Sequence, residues 1–399
     1  WSTAVVTGST VTVEAGRGYF INTTSNACTV TLPASPEVGD QIVLADYART
    51  WATNAVTLDS NGNNFQGEAD TYTVDYDTVG QSLNIVYADS TKGWLPVSDD
   101  AVADVGVAPA TQKGLFAFGY TGSLTSVKNL VNSSGVVASD VTGVGTARYG
   151  LAASSYGGDK AIFAYGYASG YVSVSNLVNN SGVVAADVSG VGSARSGLGS
   201  SSYGGDKAIF GFGSTGSYVS LTNLVNNSGV VGADVSGVGT ARFGIAATEY
   251  GEDKGIFGFG FTAAENLTGV TNLISNSGVV ASDVSAVGTA RRYAAAAPYG
   301  GDKGIFAYGN TSGGGNVSMS NLVSNSGVVA SDVSGVGTAR EGSNATNYGG
   351  DKAIFGFGNS GSVTGVTNLV NNSGVIAADV SAVGTARSDP AAAGYSYSA

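Results

Sequence analysis

Apolar and polar residues alternate along most of this chain, the two-residue period of strands, and the 3.6-residue period of an amphipathic helix is absent. The clearest stretch is Lys207-Ala208-Ile209-Phe210-Gly211-Phe212-Gly213, read as a strand with Ile209 and Gly211 on one face and Phe210 and Phe212 on the other. Tyr203-Gly204-Gly205-Asp206 precedes it as a tight turn whose glycines supply positive φ. The phrase recurs from Tyr156, Tyr250, Tyr299 and Tyr348, and a headless copy starts at Lys113. Its lysines stand at 113, 160, 207, 254, 303 and 352, so the period is 47 to 49 residues. A unit of this length, written six times, is one supersecondary element stacked on its neighbours.

Residues 195–241 show a full unit. A small-residue strand ends at Tyr203, a second spans 207–213 and a third 219–226. Asn227-Ser228-Gly229 then turns the chain into a fourth strand at 230–238, followed by Gly239-Thr240-Ala241-Arg242. Four short antiparallel strands repeated in this way predict the blades of a β-propeller. The first copy lacks its small-residue strand, whereas the last copy is followed by Ser388-Asp389-Pro390-Ala391-Ala392-Ala393-Gly394-Tyr395-Ser396, which has that character. The C-terminal segment is therefore expected to complete the first unit and close a ring of six, removing two sheet edges. The predicted fold is all-β: a small N-terminal β-domain at 1–100, a linker at 101–112 and a six-bladed propeller at 113–399.

Residues 1–100 carry no repeat. Val11-Thr12-Val13-Glu14-Ala15, Cys28-Thr29-Val30-Thr31-Leu32 and Gln41-Ile42-Val43-Leu44-Ala45 read as strands, with others at 71–76, 82–87 and around Trp94-Leu95-Pro96. Turns fall at Pro33-Ala34-Ser35-Pro36, Gly39-Asp40 and Ser60-Asn61-Gly62-Asn63-Asn64. Asp59, Asn61, Asn63 and Asn64 lack the glycine and terminal glutamate spacing of a calcium loop and read as a solvated turn. Residues 97–112 are short, acidic and aperiodic, with Pro109, and form the natural linker.

Composition narrows the function. The 62 glycines sit at repeat-locked turns and strand ends, so they argue for many tight turns and not for disorder. A net charge of −12 lacks the basic footprint that nucleic acid or anionic lipid requires. No apolar run is long enough for a membrane helix and no signal-peptide pattern opens the chain, so no membrane insertion is expected. The first residue is Trp1, the start of a processed chain or of a piece of a longer one. The single cysteine, Cys28, reads as a small buried thiol.

The wording of the first hundred residues resembles a β-module of bacteriophage tail fibres and related virion appendages. The matching residues are Gly18-Tyr19-Phe20-Ile21-Asn22-Thr23, Val30-Thr31-Leu32-Pro33, Gly39-Asp40, 52–59, and Val86-Tyr87 followed by Gly93-Trp94. The resemblance implies an attachment module that trimerises. The array resembles kelch repeats in its order of Arg, small-residue strand, Gly-Gly-Asp and glycine-ended second strand. The kelch tryptophan pattern is missing, since Trp1, Trp51 and Trp94 all precede the array. Arrays with this wording, including Asn-Leu-Val-Asn-Asn-Ser-Gly, resemble those of phage tail and fibre proteins. Localisation in a virion follows from the resemblance alone.

No enzyme is expected. Histidine is absent, which excludes a Ser-His-Asp triad and a thiolate–imidazole pair. Arg148, Arg195, Arg242, Arg291, Arg340 and Arg387 recur once per unit, as do Asp140, Asp187, Asp234, Asp283, Asp332 and Asp379. The lysines and the aspartates Asp159, Asp206, Asp253, Asp302 and Asp351 that precede five of them recur likewise. Six copies in one role read as structural pairing within or between units, because a catalytic site needs one residue in one role. No paired acid and base stands out for glycoside hydrolysis. Gly211-Phe212-Gly213 ends a strand and is no nucleotide loop, and the sequons at Asn179, Asn226 and Asn371 read as turn residues. No cofactor and no metal site is expected.

The copies disagree in two places, the loop after the second strand and the residues after each arginine. Strand alternation puts both on one face. That variable face carries Tyr120, Tyr149, Tyr167, Tyr171, Tyr218, Phe243, Phe261 and Tyr293, with Asn and Ser around them. Aromatic rings with small polar neighbours suit sugar binding, although drift in unconstrained loops would give the same pattern. Two readings follow. In the first, a non-enzymatic virion appendage recognises a host surface polysaccharide or protein receptor through its propeller and joins other virion proteins through its N-terminal domain. In the second, it is a structural virion component whose propeller binds another virion protein.

Overall fold

The computed structural model describes residues 1–70, 73–99, 112–263, 266–313 and 315–396. The predicted linker at 101–112, save Gln112, and the start of the strand predicted at 71–76 lie outside them. The chain divides into two compact units, Trp1–Ala108 and Pro109–Ala399, both all-β. Among the described residues no helix is long and apolar enough to cross a membrane.

The first unit packs two four-stranded sheets about one core. Thr10–Thr12, Cys28–Thr31, Val56–Asp59 and Val74–Tyr76 form one sheet. Arg17–Ile21, Gln41–Asp46, Ser82–Asp89 and Gly93–Asp99 form the other. The first three strands of one sheet and the first two of the other pair in parallel. Trp51 and Trp94 are fully buried between the sheets, as is Cys28, whose thiol burial pushes up. The Asn-rich segment is a turn: Asn61 Nδ2 donates to the Leu32 carbonyl and Asn63 Nδ2 to that of Pro33.

In the second unit each repeat gives one three-stranded antiparallel sheet. The middle strands are Lys113–Tyr120, Lys160–Ala164, Lys207–Gly211, Lys254–Gly258, Lys303–Ala307 and Lys352–Gly356; they number the sheets one to six. In sheets two to six the first strand is the small-residue segment: Ala152–Tyr156, Gly199–Tyr203, Ala246–Tyr250, Ala295–Tyr299 and Asn344–Tyr348. In sheet one that place is taken by Ala391–Tyr395, antiparallel to Lys113–Tyr120 with Tyr395 opposite Lys113. These six strands touch one another in sequence order, and Ala391–Tyr395 touches Ala152–Tyr156, so the order closes on itself. Residues of all six first strands line one void of about 50 Å³, which leaves room mainly for small side chains there.

Two details depart from the sequence reading. The fourth strand at 230–238 is not a continuous strand. Two bridges hold it to the third strand Thr222–Val225, at Val225–Val231 and Thr222–Val235. Asp234, on this segment, turns away to cap a loop of the preceding unit. The second strand stops at Gly211, because Phe212 has φ +64° and Gly213 φ +102°. That left-handed step puts Phe212 on the Ile209 side, in one cluster with Ile209 and Ile245, while Phe210 packs with Ile162 and Tyr165. The same positive φ recurs at Phe118, Tyr165, Phe259, Tyr308 and Phe357. It is a strained conformation for an aromatic residue, and the surrounding packing sustains it.

What holds that residue is the interface between sheets. Each left-handed ring meets a phenylalanine of the next sheet edge-on or tilted, as Tyr165 meets Phe210 at 5.5 Å between centroids. The closing pair is Phe357 with Phe116, at 5.2 Å. An arginine covers the other side: the Arg148 guanidinium lies 4.3 Å from the Phe118 ring centre and that of Arg387 3.8 Å from Phe357. All six arginines are fully buried. Arg148 Nε donates to the Tyr165 carbonyl at 2.8 Å, Nη1 to that of Thr146 at 3.0 Å and Nη2 to Asn176 Oδ1 at 2.7 Å. Burial lowers the guanidinium of Arg148, Arg242, Arg291 and Arg387 to about 10 against the pull of the nearby aspartate, so each stays protonated at neutral pH.

The Asp series clasps neighbouring units. Asp283 accepts from Thr240 N–H at 3.1 Å and from its hydroxyl at 2.6 Å, and Asp140 does the same for Thr385, tying the last unit to the first. Burial pushes these carboxyls up, but hydrogen bonds from Thr and Asn side chains, the Thr N–H and the arginine outweigh it and hold them below their ordinary value. The lysines of the Gly-Gly-Asp turns pair with their own preceding aspartates on the surface, as Lys207 does with Asp206 at 2.6 Å.

Candidate functional site

The residue after each buried arginine pairs with the first residue of the variable loop in the same sheet: Tyr149 with Tyr167, Ser196 with Ser214, Phe243 with Phe261, Arg292 with Asn310, Glu341 with Asn359 and Ser388 with Tyr120. Both variable segments therefore sit at one end of the sheets. The next residue is left-handed in every copy: Gly150, Gly197, Gly244, Tyr293, Gly342 and Asp389, with φ between +49° and +63°. Their backbones link in a chain of hydrogen bonds, Gly197 N–H to Gly150 O at 2.8 Å and onward through Gly244, Tyr293 and Gly342 to Asp389.

These residues line a cavity of about 390 Å³ on the axis at the variable end. Tyr149, Tyr167, Tyr171, Phe243 and Tyr293 line it. Tyr120 lies beside Tyr149 at 6.0 Å and is partly exposed. Tyr218 stacks on Phe243 at 5.7 Å, and Phe261 is buried beneath both, so these two brace the wall. The aromatics of the variable face thus form two contiguous groups, Tyr120-Tyr149-Tyr167-Tyr171 and Tyr218-Phe243-Phe261-Tyr293. Glycine is required between them, because a Cβ on Gly197 would fall 2.2 Å from the Phe243 ring.

Acidic residues also occupy the axis, and the sequence reading did not choose them. Asp389 and Glu341 line the cavity beside Arg292. Burial pushes the Asp389 carboxyl up to about 6 against the Ser388 hydrogen bond, with Glu341 adding repulsion. Burial and the same two carboxylates push the Tyr293 hydroxyl well above its usual range, with Arg292 opposing. Toward the other end lie voids of about 60 and 50 Å³, lined mostly by alanines and serines of the first strands, with Leu151, Leu198 and Ile245 at the larger and Glu249 at the smaller. A further cavity of about 380 Å³ holds Glu249, which accepts from the Ser202 hydroxyl and which burial pushes up to about 7. Each of these acids breaks its repeat: Asp389 stands where four copies have glycine, and Glu249 where two others have Ser155 and Ser202. Comparing the copies at the positions facing the axis is the signal that finds them; a search for aromatic residues passes over it.

Among the described residues no group of three or more Cys, Asp or Glu side chains could hold a metal ion. The chain matches no protein-family model and no curated protein.

Proposed function

We propose that the repeat array, residues 113–399, is a six-bladed kelch-like β-propeller closed by its C-terminal strand, and that the protein is a phage-type virion appendage that recognises a host surface polysaccharide without catalysis. The closed order of first strands and the Asp140–Thr385 clasp support the propeller. The resemblance of residues 1–100 and of the repeat wording supports the virion setting, with the N-terminal domain attaching or trimerising. The observation that carries recognition is the axial cavity: an aromatic-walled pocket at the one end where the copies differ. The test is binding of the labelled full chain to a panel of bacterial strains before and after their surface polysaccharide is stripped. Binding lost on stripping supports the reading; binding that survives moves the target to a protein receptor. No binding to any strain, or shortening of the polysaccharide by the protein, overturns it.

One observation favours the second reading, a structural component that binds another virion protein. The segment after each third strand exposes valines, Val230, Val235 and Val238 in one unit, and this apolar rim recurs in the other units. Co-purification of the chain with one virion protein, lost on changing these valines to serine, would support that role.

A further inference from the structure

The two walls of the axial cavity differ in chemistry. Sheets two to four give it Tyr149, Leu151, Leu198, Phe243 and Ile245, an apolar and aromatic wall. Sheets five, six and one give it Arg292, Tyr293, Glu341, Ser343, Ser388 and Asp389, a polar wall. Three atoms of the polar wall are buried without a hydrogen-bond partner: Arg292 Nε, Glu341 Oε2 and Ser343 Oγ. Ser343 is only 5 % exposed. A buried polar atom left unpaired is costly, and a ligand that pairs it removes that cost.

We infer that this cavity binds the terminal residue of a glycan that carries no acidic group there: an uncharged or amine-bearing sugar, its ring on the Tyr149–Phe243 wall and its hydroxyl or ammonium protons directed to Glu341 and Asp389. The inference rests on the glycan-recognition reading above and names the class of sugar. A pyranose has one face rich in C–H groups, which suits an aromatic wall, and hydroxyls around its rim, which suit a polar one. Those hydroxyls donate to Glu341 Oε2 and accept from Arg292 Nε–H, while Ser343 can do either. Two carboxylates against one guanidinium leave the wall net acidic, and a uronic, sialic or phosphorylated residue would meet repulsion that a recessed site screens less than bulk water does. The volume lies near the lower end of the roughly 300–1,000 Å³ of small-molecule sites, room for one or two rings. Because only a void of about 60 Å³ lies beyond the cavity, a glycan chain cannot thread past it, and an end residue is what the cavity would take.

The test is a printed array of oligosaccharides that share internal sequence and differ in the terminal residue: neutral hexose, hexosamine with a free amine, or uronic or sialic acid. The full chain is compared with Glu341→Ala, with the isosteric Glu341→Gln, and with Glu341→Gln/Asp389→Asn, each first shown to melt as the wild type does. Wild type is expected to prefer neutral or amine termini over acidic ones by on the order of tenfold. Glu341→Ala should lose most of that binding, and the doubly neutralised variant should lose the discrimination. If Glu341→Ala fails to fold, Glu341→Gln takes its place, with the same preference expected to weaken. Preference for acidic termini, or unchanged binding in the Glu341 and double variants, overturns the cavity assignment and leaves glycan recognition standing. Binding to no glycan on the array overturns both.

Discussion

Carboxylates of the same unit behave in opposite ways at the sheet interfaces and on the axis. Asp283 and its five counterparts are pushed up by burial but held low overall, because each meets a hydroxyl and N–H of one residue (threonine in five copies, Ser193 at Asp234), an asparagine amide and a buried guanidinium. Asp389 and Glu249 are pushed up by burial and stay high, since a single hydroxyl answers each of them. The interface acids are matched to donors in every copy, and the axial acids stand alone in theirs. A residue that completes a partner set in all six units serves the scaffold. One that breaks the repeat and meets a single hydroxyl is poised to meet something outside the chain.

The largest effect is expected at the closure of the ring order. Deleting residues 388–399 strips Lys113–Tyr120 of its first-strand partner and takes one of two neighbours from each of the first strands Ala152–Tyr156 and Asn344–Tyr348. Loss of a cooperative melt in circular dichroism is expected; a truncated chain that melts as the full one would show that the closing strand is dispensable. Next comes a single interface. Arg242→Ala leaves Asn272 Oδ1 and Asp283 without their buried cation and uncovers the Phe212 ring, and a loss of about 3–5 kcal/mol in urea unfolding is expected. Arg242→Lys should not restore it, because an ammonium cannot reproduce the flat fork over the ring.

The pH dependence of two isosteric variants sharpens the contrast. Glu249 holds its proton more tightly folded than unfolded, so its ionisation weakens the fold as pH rises from its ordinary value toward 7. Glu249→Gln should therefore stabilise at pH 8, by at most about 3 kcal/mol and less where cavity water screens the charge, and change little at pH 4. Asp283 has the opposite sign: its contribution is present above the unfolded value and lost as pH falls through the lower folded one. Asp283→Asn should cost stability at neutral pH and little in strong acid, and thermal melts across pH 2–8 separate the two. The smallest effect belongs to the exposed pair: Lys207→Ala should leave the urea-unfolding midpoint close to that of the wild type, since solvent screens Lys207–Asp206.

Much of the array was legible because the repeat is written in short-range terms. The Gly204-Gly205 turn, the small-residue strand and the complementary chain ends are local or additive signals, and the pairing of Ala391–Tyr395 with Lys113–Tyr120 follows from them. The face of Phe212 was not legible. Alternation puts it with Phe210, whereas the interface with the next sheet, where Phe257 lies 5.1 Å away and Arg242 covers the other side, holds it at φ +64° with Ile209. The parallel strands at Arg17–Ile21 and Val56–Asp59 were likewise missed as strands, because their partners lie far along the chain.

For the site, sequence alone determined which end of each unit varies and that aromatics gather there, since both are properties of aligned copies. Which of those residues face one cavity depends on how the units pack together. Tyr149, Tyr167, Tyr171, Phe243 and Tyr293 line it, Tyr218 and Phe261 brace it, and Asp389, Glu341 and Ser343 supply polar groups within it. The reason is geometric. Six strands from units hundreds of residues apart converge on one axis, and what a side chain meets there depends on the other five copies, which its own local sequence does not encode.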